Sequence, residues 1–174
     1  AAKTFERLKK RPRPKKILAA VLIGDNPASL SYIRQKEKAA KALGVNFQIF
    51  HWRKGSEKAL LKKFSDLNRD KNIGGIVLQL PLPQSLNRDA FIKLLNPKKD
   101  VDALKTSKYV LPPTVGALQK ILRVIKFDLP PHQCIGCGGL RNKKAVVIGR
   151  GFLVGKPIAE WLRGKARFVR VLGR

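Results

Sequence analysis

Residues 17–43 read ILAAVLIGDNPASLSYIRQKEKAAKAL, and the way this stretch divides decides the fold. Ile17 to Ile23 is apolar without a break. A strand with one wet face would alternate, so an unbroken run marks a strand covered on both faces of a parallel sheet. Asn26 is suited to cap a helix, and Pro27 to its first position, where the missing N–H would have no partner anyway. At about 100° per residue, Tyr32, Ile33, Lys36, Ala39, Ala40 and Leu43 share one helix face, with Arg34, Lys38 and Lys41 opposite. Lys36 therefore interrupts an apolar stripe. An ammonium there must snorkel, meet a carboxylate or lose basicity by desolvation, and the last two are how reactive lysines arise. On this helix alone, snorkelling is the ordinary reading.

Working outward, Gly44 stops the helix and Val45 to Trp52 reads as a second strand. Glu57 to Leu67 is then a helix with Leu60, Leu61, Phe64 and Leu67 on its buried side. Gly74 to Leu80, GGIVLQL, is a third buried strand, closed by Pro81 and Pro83. The order is βαβα. Open α/β sheets place ligands at the carboxyl ends of their strands, so Gln79 is a polar group at a candidate ligand site. A short helix over Asp89 to Leu95 follows, and PKKDVDAL puts Asp100 and Asp102 on a loop. Among so many lysines both carboxylates could be solvated and screened, or Asp102 could turn inward.

The second half opens on a helix, Val115 to Ile125, with Leu118, Ile121, Leu122 and Ile125 at helical spacing. PPHQCIGCGG holds His132, Cys134 and Cys137, soft ligands that could join a zinc site. Three candidates without a fourth fit an ordinary reduced, glycine-rich loop better. Ala145 to Ile148 is a short strand running into Gly149, Arg150, Gly151, Phe152, Leu153, Val154 and Gly155. A glycine-rich turn between strand and helix lets backbone amides approach a pyrophosphate. Its G-x-G-x-x-x-G spacing is one residue longer than the usual dinucleotide fingerprint, and no acidic residue follows about 20 positions on to hold an unphosphorylated ribose. A helix from Lys156 to Leu162 and a strand within Arg167 to Arg174 complete the chain.

Composition bounds the function. The chain has 174 residues, 44% of them hydrophobic, and a formal net charge of +27. That suffices for a buried core. No run of about 18 apolar residues offers a membrane span, and the basic, proline-containing start lacks a secretory apolar stretch. A cytoplasmic protein without membrane partners is expected. Lys9 to Lys16 is a basic cluster whose prolines forbid a helix interior, so it should be extended and solvated. It could hold a polyanion by charge, though no interleaved aromatic is there to stack bases.

Four blocks, VLIGDNPASLSYIRQKEKAAKALGV, LNRDKNIGGIVLQLPLP, NPKKDVDAL and KKAVVIGRGFLVGKPIA, occur in this order. Together they resemble the bifunctional methylenetetrahydrofolate dehydrogenase/methenyltetrahydrofolate cyclohydrolase family, usually called FolD. The resemblance implies that Tyr32 and Lys36, the family's YxxxK, line a folate pocket. It implies that Lys36 serves the cyclohydrolase step, that Gln79 hydrogen-bonds and tunes the lysine, and that Asp102 binds the aminopyrimidine edge of the pterin. The family's GRSxxVGxP block corresponds to Gly149, Arg150, Gly151, Val154 and Gly155 as cofactor contacts, with Gly151 in place of serine. Arg150 corresponds to an arginine near the 2′-phosphate, which favours NADP over NAD. A homodimer is implied as well.

The sequence departs from the family in two loops. DVDG is DVDA here, so Ala103 replaces a glycine, and a turn that needs positive φ would have to differ. Pro112, Pro113, Thr114, Val115 and Gly116 stand where the family has PCTPxG, one residue fewer. A complete member would also continue for roughly another hundred residues. The expectation is thus an α/β protein with a βαβα folate domain over residues 1–114 and an incomplete Rossmann-like cofactor domain over residues 115–174. It would oxidise 5,10-methylenetetrahydrofolate with NADP and hydrolyse the methenyl product to 10-formyltetrahydrofolate. The alternative is a non-catalytic chain that binds RNA or another polyanion through its basic surface.

Overall fold

In the computed structural model, which describes residues 2–105, 109–125 and 140–173, the opening stretch divides as its pattern dictates. Strand β1 is Ile17–Ile23 and helix α2 is Pro27–Ala42, preceded by a short helix α1, Ala2–Lys9. The Asn26 side chain accepts the Ser29 N–H at 3.0 Å, and Pro27 occupies the first turn. Gly44 follows the helix with φ 67°, a conformation glycine takes without steric cost. Of the basic cluster expected to be extended, Lys9 instead ends α1, whereas Lys10 to Lys16 form neither helix nor strand, and all eight are exposed.

The chain divides into two compact units, Ala1–Val110 and Leu111–Arg174. In the first, β1 is the middle of a parallel sheet of order β2-β1-β3, with β2 at Phe47–Trp52 and β3 at Ile73–Leu78. Strands β2 and β3 are shorter than their apolar runs suggest. Helices α3, Glu57–Arg69, and α4, Arg88–Leu94, complete the unit.

Side chains of β1 alternate between two cores. Ala19, Val21 and Ile23 pack with Leu60, Phe64 and Leu67 of α3 and Phe91 of α4. Ala20 and Leu22 pack with Ile33 of α2 and with Val77. Coverage on both faces is why the strand needs no polar residue. Phe64 and Phe91 meet edge to face, ring centroids 5.7 Å apart, a favoured arrangement of aromatic quadrupoles.

On α2 the structure narrows the expected apolar stripe. Ser29, Ile33 and Ala40 are its buried residues, whereas Tyr32 is 61% exposed and Ala39 is also exposed. Lys36 lies at the margin of this stripe, half-buried, and so has a route to a partner without entering the core.

The second unit holds α5, Pro113–Val124, then β4, Lys144–Ile148, α6, Gly155–Arg163, and β5, Phe168–Leu172. The two strands pair in parallel, from Lys144 beside Phe168 to Ile148 beside Leu172. This is one βαβ unit. Helix α5 begins two residues earlier than its periodicity suggests. His132, Cys134 and Cys137 lie outside the described residues.

Candidate active site

The sheet order 2-1-3 sends the chain from β1 to one side and brings it back on the other, which leaves a crevice at the carboxyl ends of β1 and β3. Gln79 stands just past the end of β3, only 8% exposed, its N–H on the Val21 carbonyl at 2.9 Å. The Gln79 side chain is fixed from both ends. Its Nε2 donates to the Leu80 carbonyl at 2.7 Å, and its Oε1 accepts from Lys36 Nζ at 3.1 Å. Because an ammonium only donates, the glutamine must present its oxygen to the lysine. Two residues 43 apart in sequence are thus joined by a hydrogen bond across the crevice. The alternative of a snorkelling lysine is not what the chain adopts.

The segment after β3 contains a cis peptide between Leu80 and Pro81. Pro83 then folds back against Gly24, which has φ 80°, and a Cβ at Gly24 would stand 3.1 Å from the Pro83 ring. A side chain there would meet both backbone strain and a rigid ring.

Asp102 joins this group by electrostatics. Burial pushes its carboxyl above the ordinary aspartate value, the Lys36 ammonium pulls it back down, and the neighbouring Asp100 pushes it up again. The Lys36 charge is therefore close enough to act on Asp102. Tyr32 precedes Lys36 by one turn of α2 and offers its ring to solvent. Lys36 and Gln79 come together through their hydrogen bond, the Lys36 charge acts on Asp102, and Tyr32 stands one turn before Lys36 on α2.

Asp100 is not the solvated carboxylate its lysine-rich surroundings suggest. It is 1% exposed, and its two oxygens accept the Leu104 N–H at 3.1 Å and the Lys105 N–H at 2.8 Å. Between Asp100 and these two donors Ala103 has φ 51°, so this turn has the left-handed conformation with an alanine in it. That costs an L-residue roughly 1–2 kcal/mol. The family block NPKKDVDAL drew attention to this loop, but through Asp102 and Ala103 and not through Asp100.

In the second unit the glycine-rich turn carries the expected residues between β4 and α6. Gly149 has φ 106°, and a Cβ at Gly155 would collide with the Gly149 carbonyl oxygen. Only glycine permits that approach. Gly151 faces open space, and its carbonyl accepts the Lys156 N–H at 3.0 Å and the Val154 N–H at 3.3 Å. Val154 stands immediately before α6, and the Thr114 hydroxyl donates to the Leu153 carbonyl at 3.3 Å. Arg150 lines a cleft of about 380 Å³ with Lys156, Ala159, Arg163 and Val171. A glycine cradle beside three cations and a helix N-terminus suits a phosphorylated nucleotide.

Fold and site define an α/β protein with polar groups at the switch point of a parallel sheet and a second unit whose two parallel strands flank a helix entered by a glycine-rich turn. Residues 1–102 match the family described as tetrahydrofolate dehydrogenase/cyclohydrolase, catalytic domain. The chain belongs to this family. It is 37% identical over 171 residues to the bifunctional protein FolD of Bacillus licheniformis, covering 92% of this chain and 56% of that protein.

The structure is similar to that of the FolD methylenetetrahydrofolate dehydrogenase/cyclohydrolase of Campylobacter jejuni, with TM-score 0.84 and 29% identity over 99% of this chain and 63% of that one. It is also similar to the Trypanosoma brucei FolD complexed with NADP cofactor and inhibitor, with TM-score 0.78 and 27% identity over 99% of this chain and 57% of that one. The chain thus spans little more than half the length of these relatives. Among the described residues, no helix is long and apolar enough to cross a membrane.

Proposed function

We propose that this chain carries the one-carbon folate chemistry named in its relatives: NADP-dependent oxidation of 5,10-methylenetetrahydrofolate to the methenyl compound, and hydrolysis of that compound to 10-formyltetrahydrofolate. Residues 1–114 form the folate domain in this reading, and residues 115–174 part of the cofactor domain. The observation that carries it is the hydrogen bond from Lys36 to Gln79 at the carboxyl edge of the sheet.

Hydrolysis requires water to add to the methenyl carbon of a cationic amidine, after which protons must move between oxygen and nitrogen. Lys36 Nζ is the group that moves them. Gln79 takes one of its three N–H directions, which aims the others into the crevice. Asp102 offers two oxygens to the aminopyrimidine edge, and Tyr32 offers a flat face to the pterin. Gly149, Arg150, Gly151, Val154 and Gly155 would hold NADP, which supplies the hydride acceptor when bound. The fit rests on the Gly149–Gly155 approach and on the Arg150 cleft.

In the same reading two copies of the chain pair, the protein works in the cytoplasm, and its basic surface holds polyanions without sequence preference and only at low salt. A net charge of +27 supports the last point, since such binding comes from counterion release.

The test follows the absorbance of 5,10-methenyltetrahydrofolate with wild-type protein and with Lys36→Met. Methionine fills the margin of the stripe at a stability cost below about 1.5 kcal/mol. Hydrolysis above the buffer rate should fall by roughly a hundredfold or more in the variant. Equal rates in the two proteins would remove Lys36 from the mechanism, and no rate above buffer in the wild type would remove the hydrolase reading.

A further inference from the structure

We infer that Asp100 is a positioning residue that holds the turn carrying Asp102, and that this chain depends on it because alanine stands at position 103. The inference rests on the reading of Asp102 as a folate ligand. The stretch around it is pinned on both sides and strained in the middle. On the near side the Ile76 N–H donates to the Lys99 carbonyl at 2.6 Å, and Asp100 bridges Ile76 in parallel, so the chain runs against β3 like a short extra strand. Lys99 Nζ reaches the carbonyls of Asn68 and Asp70, both at 2.7 Å, at the end of α3. On the far side Lys105 Nζ reaches the carbonyls of Lys93 and Leu95, at 2.9 and 3.0 Å, at the end of α4.

Val101, Asp102 and Ala103 span the gap, and nothing in their own chemistry favours the conformation observed. An alanine at φ 51° relaxes toward negative φ unless its surroundings forbid it. The surroundings that forbid it are the two Asp100 oxygens, which fix the N–H groups of the next two residues. Remove that acceptor pair and Ala103 turns back, carrying Asp102 away from Lys36. A glycine at 103 has no such preference and would keep the turn unaided. The two positions should therefore be non-additive.

The experiment uses the full chain as wild type, Asp100→Asn, Ala103→Gly and the double variant. An asparagine replaces one acceptor oxygen with an NH₂ that faces a backbone N–H, so the pair of bonds cannot both persist. Two readouts are needed. The ¹³Cα and ¹³Cβ shifts of Ala103 report its backbone region without any ligand. They should show the left-handed region in wild type and lose it in Asp100→Asn. Unchanged shifts would overturn the inference whatever happens to folate.

Tetrahydrofolate affinity, measured by calorimetry, should fall roughly tenfold or more in Asp100→Asn, stay within about twofold of wild type in Ala103→Gly, and recover most of the loss in the double variant. A loss of the same size with and without glycine would mean that Asp100 only supports the fold. A wild type that does not bind tetrahydrofolate would strike the folate reading, with the Ala103 shifts still deciding the clamp. Should Asp100→Asn fail to fold, the double variant must fold, and failure of both would also overturn it.

Discussion

Strands β1 and β4 are each followed by a helix and by a parallel partner, yet one is buried on both faces and the other is half-buried on one face and exposed on the other. Ala19 to Ile23 are all buried, alternating between the α2 side and the side of α3 and α4. In β4 and β5 the residues alternate between half-buried and exposed, with Val146 at 58% and Ile148 at 79%. A single βαβ unit covers one face of its sheet, and only a return crossing on the other side covers the second. The consequence for the two candidate sites is direct. The crevice of the first unit is built on packed strand ends, where Gln79 is held by Val21, Leu80 and Lys36. The glycine-rich turn of the second is built on backbone geometry, above all on the approach of Gly155 to Gly149.

The largest test of this contrast is a pair of phenylalanines. Phe64 is fully buried against Phe91, and Phe168 in β5 is 54% exposed. Phe64→Ala should cost about 3–5 kcal/mol, and Phe168→Ala no more than about 0.5 kcal/mol. Urea unfolding followed by circular dichroism reads both as shifts in midpoint. Comparable losses would mean that the open face of β4 and β5 is as well packed in solution as the first unit.

A smaller effect sharpens the second unit alone. Arg150→Ala should weaken NADP by roughly a further tenfold relative to NAD, because a guanidinium bonding the 2′-phosphate is worth about 1.5–3 kcal/mol and NAD lacks that phosphate. Titration calorimetry with each dinucleotide measures the ratio. Equal losses would place Arg150 on the pyrophosphate or away from the nucleotide altogether.

How much of this was legible depends on the range of the interaction. The β1 run, the Asn26 cap and the Leu60, Phe64, Leu67 stripe of α3 are local patterns, and the structure keeps them. The α2 stripe is overcounted at Tyr32 and Ala39, because helical period gives the direction of a face but not the width that its neighbours cover. The Lys36 to Gln79 bond spans 43 positions, and no periodicity reaches so far; family resemblance supplied it. Asp100 shows the opposite case. A carboxyl that satisfies backbone N–H groups four and five residues ahead has no composition signal, and its charged neighbours suggested a solvated loop.

The smallest effect concerns Asp102, and its sign follows from linkage. Burial raises the Asp102 carboxyl above its ordinary value of 3.8 in the folded chain, despite the pull of Lys36. Between 3.8 and the raised value the folded chain binds more protons than the unfolded one, so stability falls as pH rises through that window. Above it the penalty is complete. Asp102→Asn has no such ionisation, and it should be the more stable protein at neutral pH while binding tetrahydrofolate less well. Its advantage should shrink as the medium is acidified toward pH 3.8. Urea midpoints of the two proteins across this range test the point. Lys36→Met sharpens it, because removing the ammonium removes the one influence that lowers the Asp102 value, and the pH-dependent window should widen. A wild type that gains stability over Asp102→Asn as pH rises would show that Lys36 outweighs burial, and that the crevice stabilises its carboxylate instead of straining it.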